Sequence, residues 1–242
     1  MRTNKRQPDE LRPVTILRGF TQASPGSVLI RAGQTHVFCT ASIEATVPAW
    51  REDSGAGWIT AEYDMLPGST GQRRPRNRTR VDGRTQEIQR LIGRSLRAVA
   101  DMTKLGARTI ILDCDVLQAD GGTRTAAITG ACVALHDALA EGQRQGFWGN
   151  DVLTADVAAV SVGLVKGELL LDLDYGEDSS ADVDCNLIMT SRGQWIEVQA
   201  TAERATYTDA DLARMTALGR DGIERLFALQ QAVLDQPLGA GE

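Results

Sequence analysis

Lysine is almost absent from this chain of 242 residues. Lys5, Lys104 and Lys166 are the three present, so arginine carries nearly all the positive charge. Histidine is scarcer still. His36 falls in a strand-like run and His136 in a helical one, and both read as structural, which leaves little imidazole for acid–base chemistry. The four cysteines, Cys39, Cys114, Cys132 and Cys185, are scattered, with no pair at metal-ligand spacing and no cysteine–histidine arrangement to argue from. Each sits in an apolar run and reads as a reduced core thiol. No apolar run approaches the roughly 20 residues of a membrane span. Residues 1–12 are polar and charged, unlike a secretory leader. The expectation is a cytoplasmic protein with no membrane partner. A Gly-x-Ser-x-Gly elbow is missing, as is a phosphate loop with the Walker lysine, which weakens the hydrolase and ATPase or GTPase readings.

What is present is ordinary in amount and uneven in place. Hydrophobic residues make up 42% and charged residues 24%, enough for a sizeable core. The reading is one domain over 1–242, with two related halves of about 1–150 and 151–242. The net charge of −6 argues against a nucleic-acid partner until its distribution is considered. Arg73, Arg74, Arg76, Arg78 and Arg80 fall within eight residues. Arginine's planar fork suits phosphate better than lysine's point charge does.

Runs 28–31 and 36–43 around Gly33-Gln34 predict a hairpin, and 58–65 a third strand. Residues 1–13 read as an extended arm. The stretch 67–83, rich in Gly and Arg and holding Pro75, has no apolar period and reads as a loop, of a length that is usually functional. Ile88, Leu91, Ile92, Val99 and Met102 predict a helix over 85–102, with Arg90, Arg94 and Arg97 on its solvated side. A buried strand is predicted over 109–117. It runs through a Gly121-Gly122 turn into a helix ending near Gly142, with Ile128, Cys132, Leu135 and Leu139 on one stripe. Then come strands 155–165 and 168–174 around Lys166-Gly167, and 183–190 and 194–202 around Arg192-Gly193. Thr208 and Asp211 form a capping-box pattern that opens a last helix to Leu234. Both halves run from β-hairpins to helices, an α+β arrangement of fused βαβα-type units.

Two places carry chemistry. Gly121-Gly122-Thr123-Arg124 sets two glycines, a hydroxyl and a guanidinium at a helix start, where unpaired N–H groups attract anions; a plain turn has the same pattern. Asp172, Asp174, Glu177, Asp178, Asp182 and Asp184 form an acidic cluster that suits Mg²⁺ or Mn²⁺, or else a solvated loop. Asp184 stands at the mouth of an apolar strand with Asn186 on the same face, which favours a site.

Segments 83–97 and 113–125, together with Leu171-Asp172-Leu173-Asp174-Tyr175, Glu177-Asp178-Ser179, Val183-Asp184, Glu197-Val198-Gln199, Thr201-Ala202-Glu203, Arg6-Gln7-Pro8-Asp9 and Leu11-Arg12-Pro13, resemble the RNase PH family. The resemblance spans nearly the whole chain. It implies an RNase PH-like fold, and a phosphorolytic 3′-exoribonuclease that uses inorganic phosphate to trim tRNA precursor 3′ ends. The released products would be nucleoside diphosphates. It further implies action on other RNA, a homohexamer built as a trimer of dimers, and no DNA partner. By resemblance Arg84, Gly122, Thr123 and Arg124 bind phosphate, and Asp178 and Asp184 stand at the metal and the scissile bond. Arg84, Arg124, Asp178 and Asp184 are then the catalytic set. Arg73, Arg74 and Arg76 grip RNA, in a loop whose Pro75 and extra arginines depart from the family pattern. Whether Asp184 holds the metal or protonates the leaving oxygen stays open. So do a non-catalytic ring subunit and a hydrolytic metal nuclease.

Overall fold

The structure, a computed structural model, describes residues 2, 5–76, 82–149 and 151–238. Strands β1 (Val14–Arg18), β2 (Gly26–Ala32), β3 (Thr35–Glu44), β4 (Trp58–Met65) and β5 (Thr109–Gln118) form one sheet in the order β1-β2-β3-β5-β4. Strands β6 (Val157–Val165), β7 (Glu168–Leu171), β8 (Val183–Thr190) and β9 (Trp195–Ala202) form a second, in the order β7-β6-β8-β9. Hairpin neighbours pair antiparallel. β4 and β5 run parallel, as strands joined through a crossover helix must. That helix is α1 (Gly83–Arg97), followed by a single turn, α2 (Met102–Leu105). The remaining helices are α3 (Thr123–Arg144), the one-turn α4 (Tyr175–Asp178) and α5 (Asp209–Leu234). The expected α+β architecture is observed.

α3 is apolar around most of its circumference, which demands cover on more than one side. It packs on β2 and β3 of the first sheet and on β6 of the second. One core accordingly joins Ile30, Cys39, Ile128 and Leu135 with Val157, Ala159 and Ile188. Small residues allow the close approach: a Cβ at Gly130 would stand 2.7 Å from Ile30 Cγ2. α5 covers β6 and β8 over a second core that includes Val162, Leu187, Met215 and Ile223.

Several sequence boundaries move. The helix expected over 85–102 stops at Arg97. Ala100 instead bridges to Leu153, and the Asp101 N–H donates to Val152 O at 2.7 Å, so Asp101 leaves α1 and caps α2. Arg97 does not lie on a solvated face. It donates to Ile59 O at 2.8 Å and stacks 4.3 Å from the centre of the Trp58 ring. β7 ends at Leu171, short of Asp174, because Asp172 takes a left-handed φ of 54° and Asp174 caps α4. The strand expected from 155 begins at Val157, and α3 runs two residues past Gly142.

Candidate active site

Three buried arginines of the N-terminal arm set the frame. Arg2 forks onto both Glu177 carboxylate oxygens at 2.7 Å, and Arg6 reaches the same carboxylate at 3.4 Å. Arg12 holds Asp172 through Nε at 3.0 Å and Nη2 at 2.7 Å. Asp174 and Glu177 form a reciprocal capping box at the N-terminus of α4, each carboxylate accepting the other's backbone N–H, which fixes the turn that presents Asp178. The acidic cluster therefore divides. Asp172 and Glu177 are ion-pair partners, Asp182 accepts from Lys166 N at 3.1 Å, and Asp178 and Asp184 are left to face the cleft.

The Gly121-Gly122 turn needs glycine twice, with φ of 75° and 62°. A Cβ on Gly121 would lie 2.6 Å from Leu173 O, so the turn is seated against the segment that leads into α4. Its carbonyls are taken on the inside: Asp120 O by Arg12 at 2.5 Å and Gly121 O by Thr35 at 2.6 Å. Gly122, the N-cap of α3, supplies no capping side chain, and the first helical bond runs from Ala126 N to Gly122 O. The N–H groups of Thr123, Arg124 and Thr125 thus have no helical acceptor and stand at the positive end of a 22-residue helix. Thr123 Oγ1 lies 2.8 Å from the buried Tyr63 hydroxyl. Burial raises the Tyr63 pKa, which keeps that phenol protonated and able to donate to Thr123.

Arg124 is held on its far side by Gln199 at 3.3 Å and by Glu87 at 3.8 Å, and Gln199 also donates to Glu87. Glu87 and Gln199 stand inside family-like motifs, yet neither carries a sequence-level role; each position is legible only once α1 and β9 meet. Asp184 is the second residue of β8, and Asn186 two positions on donates to it at 3.1 Å. Its other oxygen, Oδ1, is buried with no hydrogen-bond partner among the described residues. Burial, reinforced by Asp178, raises Asp184 to about 6. Burial likewise raises Asp178, against the opposing pull of Arg84 and Arg124. Two crowded carboxyls and an orphan oxygen fit a hard divalent cation.

One cleft of about 740 Å³ gathers Arg73, Arg74, Arg84, Gly122, Thr123, Arg124, Asp178 and Asp184. It also includes Asn186, noted in the sequence beside Asp184, and Tyr175 and Ser161, which sequence reading did not assign; Tyr175 is 66% exposed. Arg76 is exposed and does not line the cleft. Its charge acts instead on Asp115, whose pKa burial raises. Arg74 pairs with Asp82, the α1 N-cap, at 3.2 Å. Arg78 and Arg80 lie outside the described residues.

Residues 10–141 match domain 1, and residues 157–222 domain 2, of the 3′ exoribonuclease family, RNase PH. The chain belongs to the RNase PH family. Among its relatives, the ribonuclease PH of Synechococcus sp. is 52% identical over 97% of each chain. The ribonuclease PH of Corynebacterium glutamicum is 54% identical over 96% of each. The RNase PH-like fold recurs in a chain of the Archaeoglobus fulgidus exosome with RNA bound to the active site. That chain is 19% identical with a TM-score of 0.78, covering 94% of this chain and 91% of that one. No helix among the described residues is long and apolar enough to cross a membrane.

Proposed function

We propose that this chain is a phosphate-dependent 3′-exoribonuclease that trims the 3′ ends of tRNA precursors and releases nucleoside 5′-diphosphates. The observation that carries this is the convergence of an uncapped helix end, Arg84 and Arg124 with the Asp178–Asp184 pair in a single cleft. One side of the cleft attracts a free anion; the other opposes two carboxyls to whatever binds between them.

Orthophosphate binds at the N–H groups of the α3 start, where Arg84 and Arg124 offset its repulsion from the RNA phosphate. Either hydroxyl of the Tyr63–Thr123 pair can donate; when Tyr63 does, the threonine hydroxyl hydrogen is free to donate to the same anion. An orthophosphate oxygen attacks the phosphorus of the terminal phosphodiester. The bond from that phosphorus to the 3′ oxygen of the preceding nucleotide breaks, and that oxygen takes up a proton. The reaction exchanges one phosphodiester for one pyrophosphate bond, so it runs in reverse from diphosphates. Asp178 and Asp184 are the residues that would hold Mg²⁺ or Mn²⁺, which would supply positive charge at the scissile phosphate. In the alternative role, Asp184, with its raised pKa, does not hold the ion and instead carries a proton for the departing 3′ oxygen.

Arg73 and Arg74 at the cleft wall, with Arg76 beside them, grip the RNA backbone without reading bases. The two halves work as one unit, because each supplies part of the site, and the protein acts in the cytoplasm as a homohexamer. Light scattering that returns six chain masses supports that assembly; an active monomer contradicts it. The direct test of function incubates the protein and a short RNA with and without phosphate and resolves the products. Diphosphates that require phosphate support the proposal. Monophosphates formed in phosphate-free buffer overturn it.

A further inference from the structure

Cys132 and His136 stand one turn apart on the same face of α3, and Asp156 immediately precedes β6. This corrects the expectation that no cysteine–histidine arrangement exists. The thiol sulfur, an imidazole nitrogen and a carboxylate oxygen of these three residues all lie within 4.8 Å of one another. Among the described residues this is the one group of three or more such ligands so placed. None of the three lines the phosphate cleft. His136 is about 20 Å along the helix from Thr123, at 1.5 Å per residue.

The surroundings are those of a ligand set. His136 Nε2 is 2.6 Å from Asp156 Oδ1. Cys132 Sγ accepts the Val157 N–H at 3.4 Å. Asp156 is pinned by Ser191, whose Oγ accepts the Asp156 N–H at 3.0 Å and whose N–H donates to Asp156 O at 2.9 Å. Cys132 is 1% exposed, while the His136 and Asp156 side chains are 30% and 27% exposed, so the group opens to solvent on one side. Ligand atoms around tetrahedral zinc stand roughly 3.3–3.8 Å apart, given Zn–N and Zn–S lengths of about 2.0 and 2.3 Å. A bound zinc would part the 2.6 Å His136–Asp156 contact to that spacing.

We propose that Cys132, His136 and Asp156 form a second metal site that takes Zn²⁺ through sulfur, nitrogen and oxygen, with water in the fourth position. The thiolate and imidazole select zinc over the oxygen-seeking cations suited to Asp178 and Asp184. A bound ion would tie α3, which begins at the phosphate turn, to the strand that enters the second sheet.

The test adds Co²⁺ to the full-length protein as a spectroscopic stand-in for zinc. A thiolate-to-cobalt charge-transfer band should saturate at one equivalent per chain and disappear when Zn²⁺ is added. The band should be lost in Cys132→Ser, weakened at least about a hundredfold in affinity in His136→Gln, and unchanged in the Asp178→Asn/Asp184→Asn double variant. Cys132 is a core residue, so if its variant fails to fold, the half-exposed His136→Gln decides. No charge-transfer band in the parent protein overturns the site. A band of full affinity in His136→Gln also overturns it.

Discussion

Arg124 is useful because it is not free to swing. Gln199 and Glu87 hold its far side, so the guanidinium reaches the α3 start already oriented, and little rotamer entropy remains to be lost on binding. Arg84 is exposed in the first turn of α1 and makes its contribution through charge. A charge-assisted hydrogen bond is worth about 1.5–3 kcal/mol, so Arg84→Ala and Arg124→Ala should each raise the phosphate KM by about ten- to a hundredfold while RNA affinity changes little. Steady-state rates across a phosphate series measure this, and an unchanged KM removes the residue from the site. Asp184 shows the opposite economy, with a charged group kept where it is uncomfortable. Its folded pKa of about 6 lies above its ordinary 3.8, so the folded chain binds that proton more tightly than the unfolded one. Stability therefore falls as pH rises from about 4 to about 6 and stays reduced above that. Asp184→Asn should abolish turnover in buffer that contains Mg²⁺, and in metal-free buffer should raise the melting midpoint at pH 8 and leave it near the parent's at pH 4. Equal midpoints at pH 8 would contradict the strained carboxyl.

At the level of elements, the N-terminal arm is the least obvious part of the site. Its arginines lie 160 to 175 residues from their partners Asp172 and Glu177 in the chain, and no local pattern links them. Removing one partner of a buried ion pair costs about 3–5 kcal/mol, so Asp172→Asn should lower chemical-denaturation stability by that amount. A loss under 1 kcal/mol would mean that the arm contributes little. Strands such as Trp58–Met65 and Val183–Thr190 were legible to the residue, because apolar patterning and flanking turns coincide. The end of α1 was not, since Val99 and Met102 continue the helical period while the backbone leaves to pair with Leu153. The turn that opens α3 was readable from its two glycines, but the carbonyl contacts from Arg12 and Thr35 on its inner side were not. The arginine loop read as functional from composition alone, and its individual residues divide: Arg73 and Arg74 line the cleft and Arg76 does not. Replacing Arg73, Arg74 and Arg76 together should weaken tRNA binding and flatten its salt dependence by up to about three unit slopes, with the phosphate KM unchanged. Unaltered binding would refute the loop's role.

Across the whole molecule, the site belongs to neither half alone. Residues 84 and 122–124 come with the first sheet and its helices, and Asp178, Asp184 and Asn186 with the second. α3 serves both halves, starting at the anion site and then filling the space between the sheets. An acidic chain of net charge −6 still offers local positive charge to a polyanion, because Arg73, Arg74, Arg84 and Arg124 line one cleft. The central claim is that free orthophosphate, and not water, attacks the terminal RNA linkage. Radiolabelled orthophosphate supplied with unlabelled RNA tests it most directly. The account predicts one labelled phosphate per released nucleotide, in the β position of a nucleoside diphosphate. Nucleotides released without label, at an undiminished rate, would contradict it.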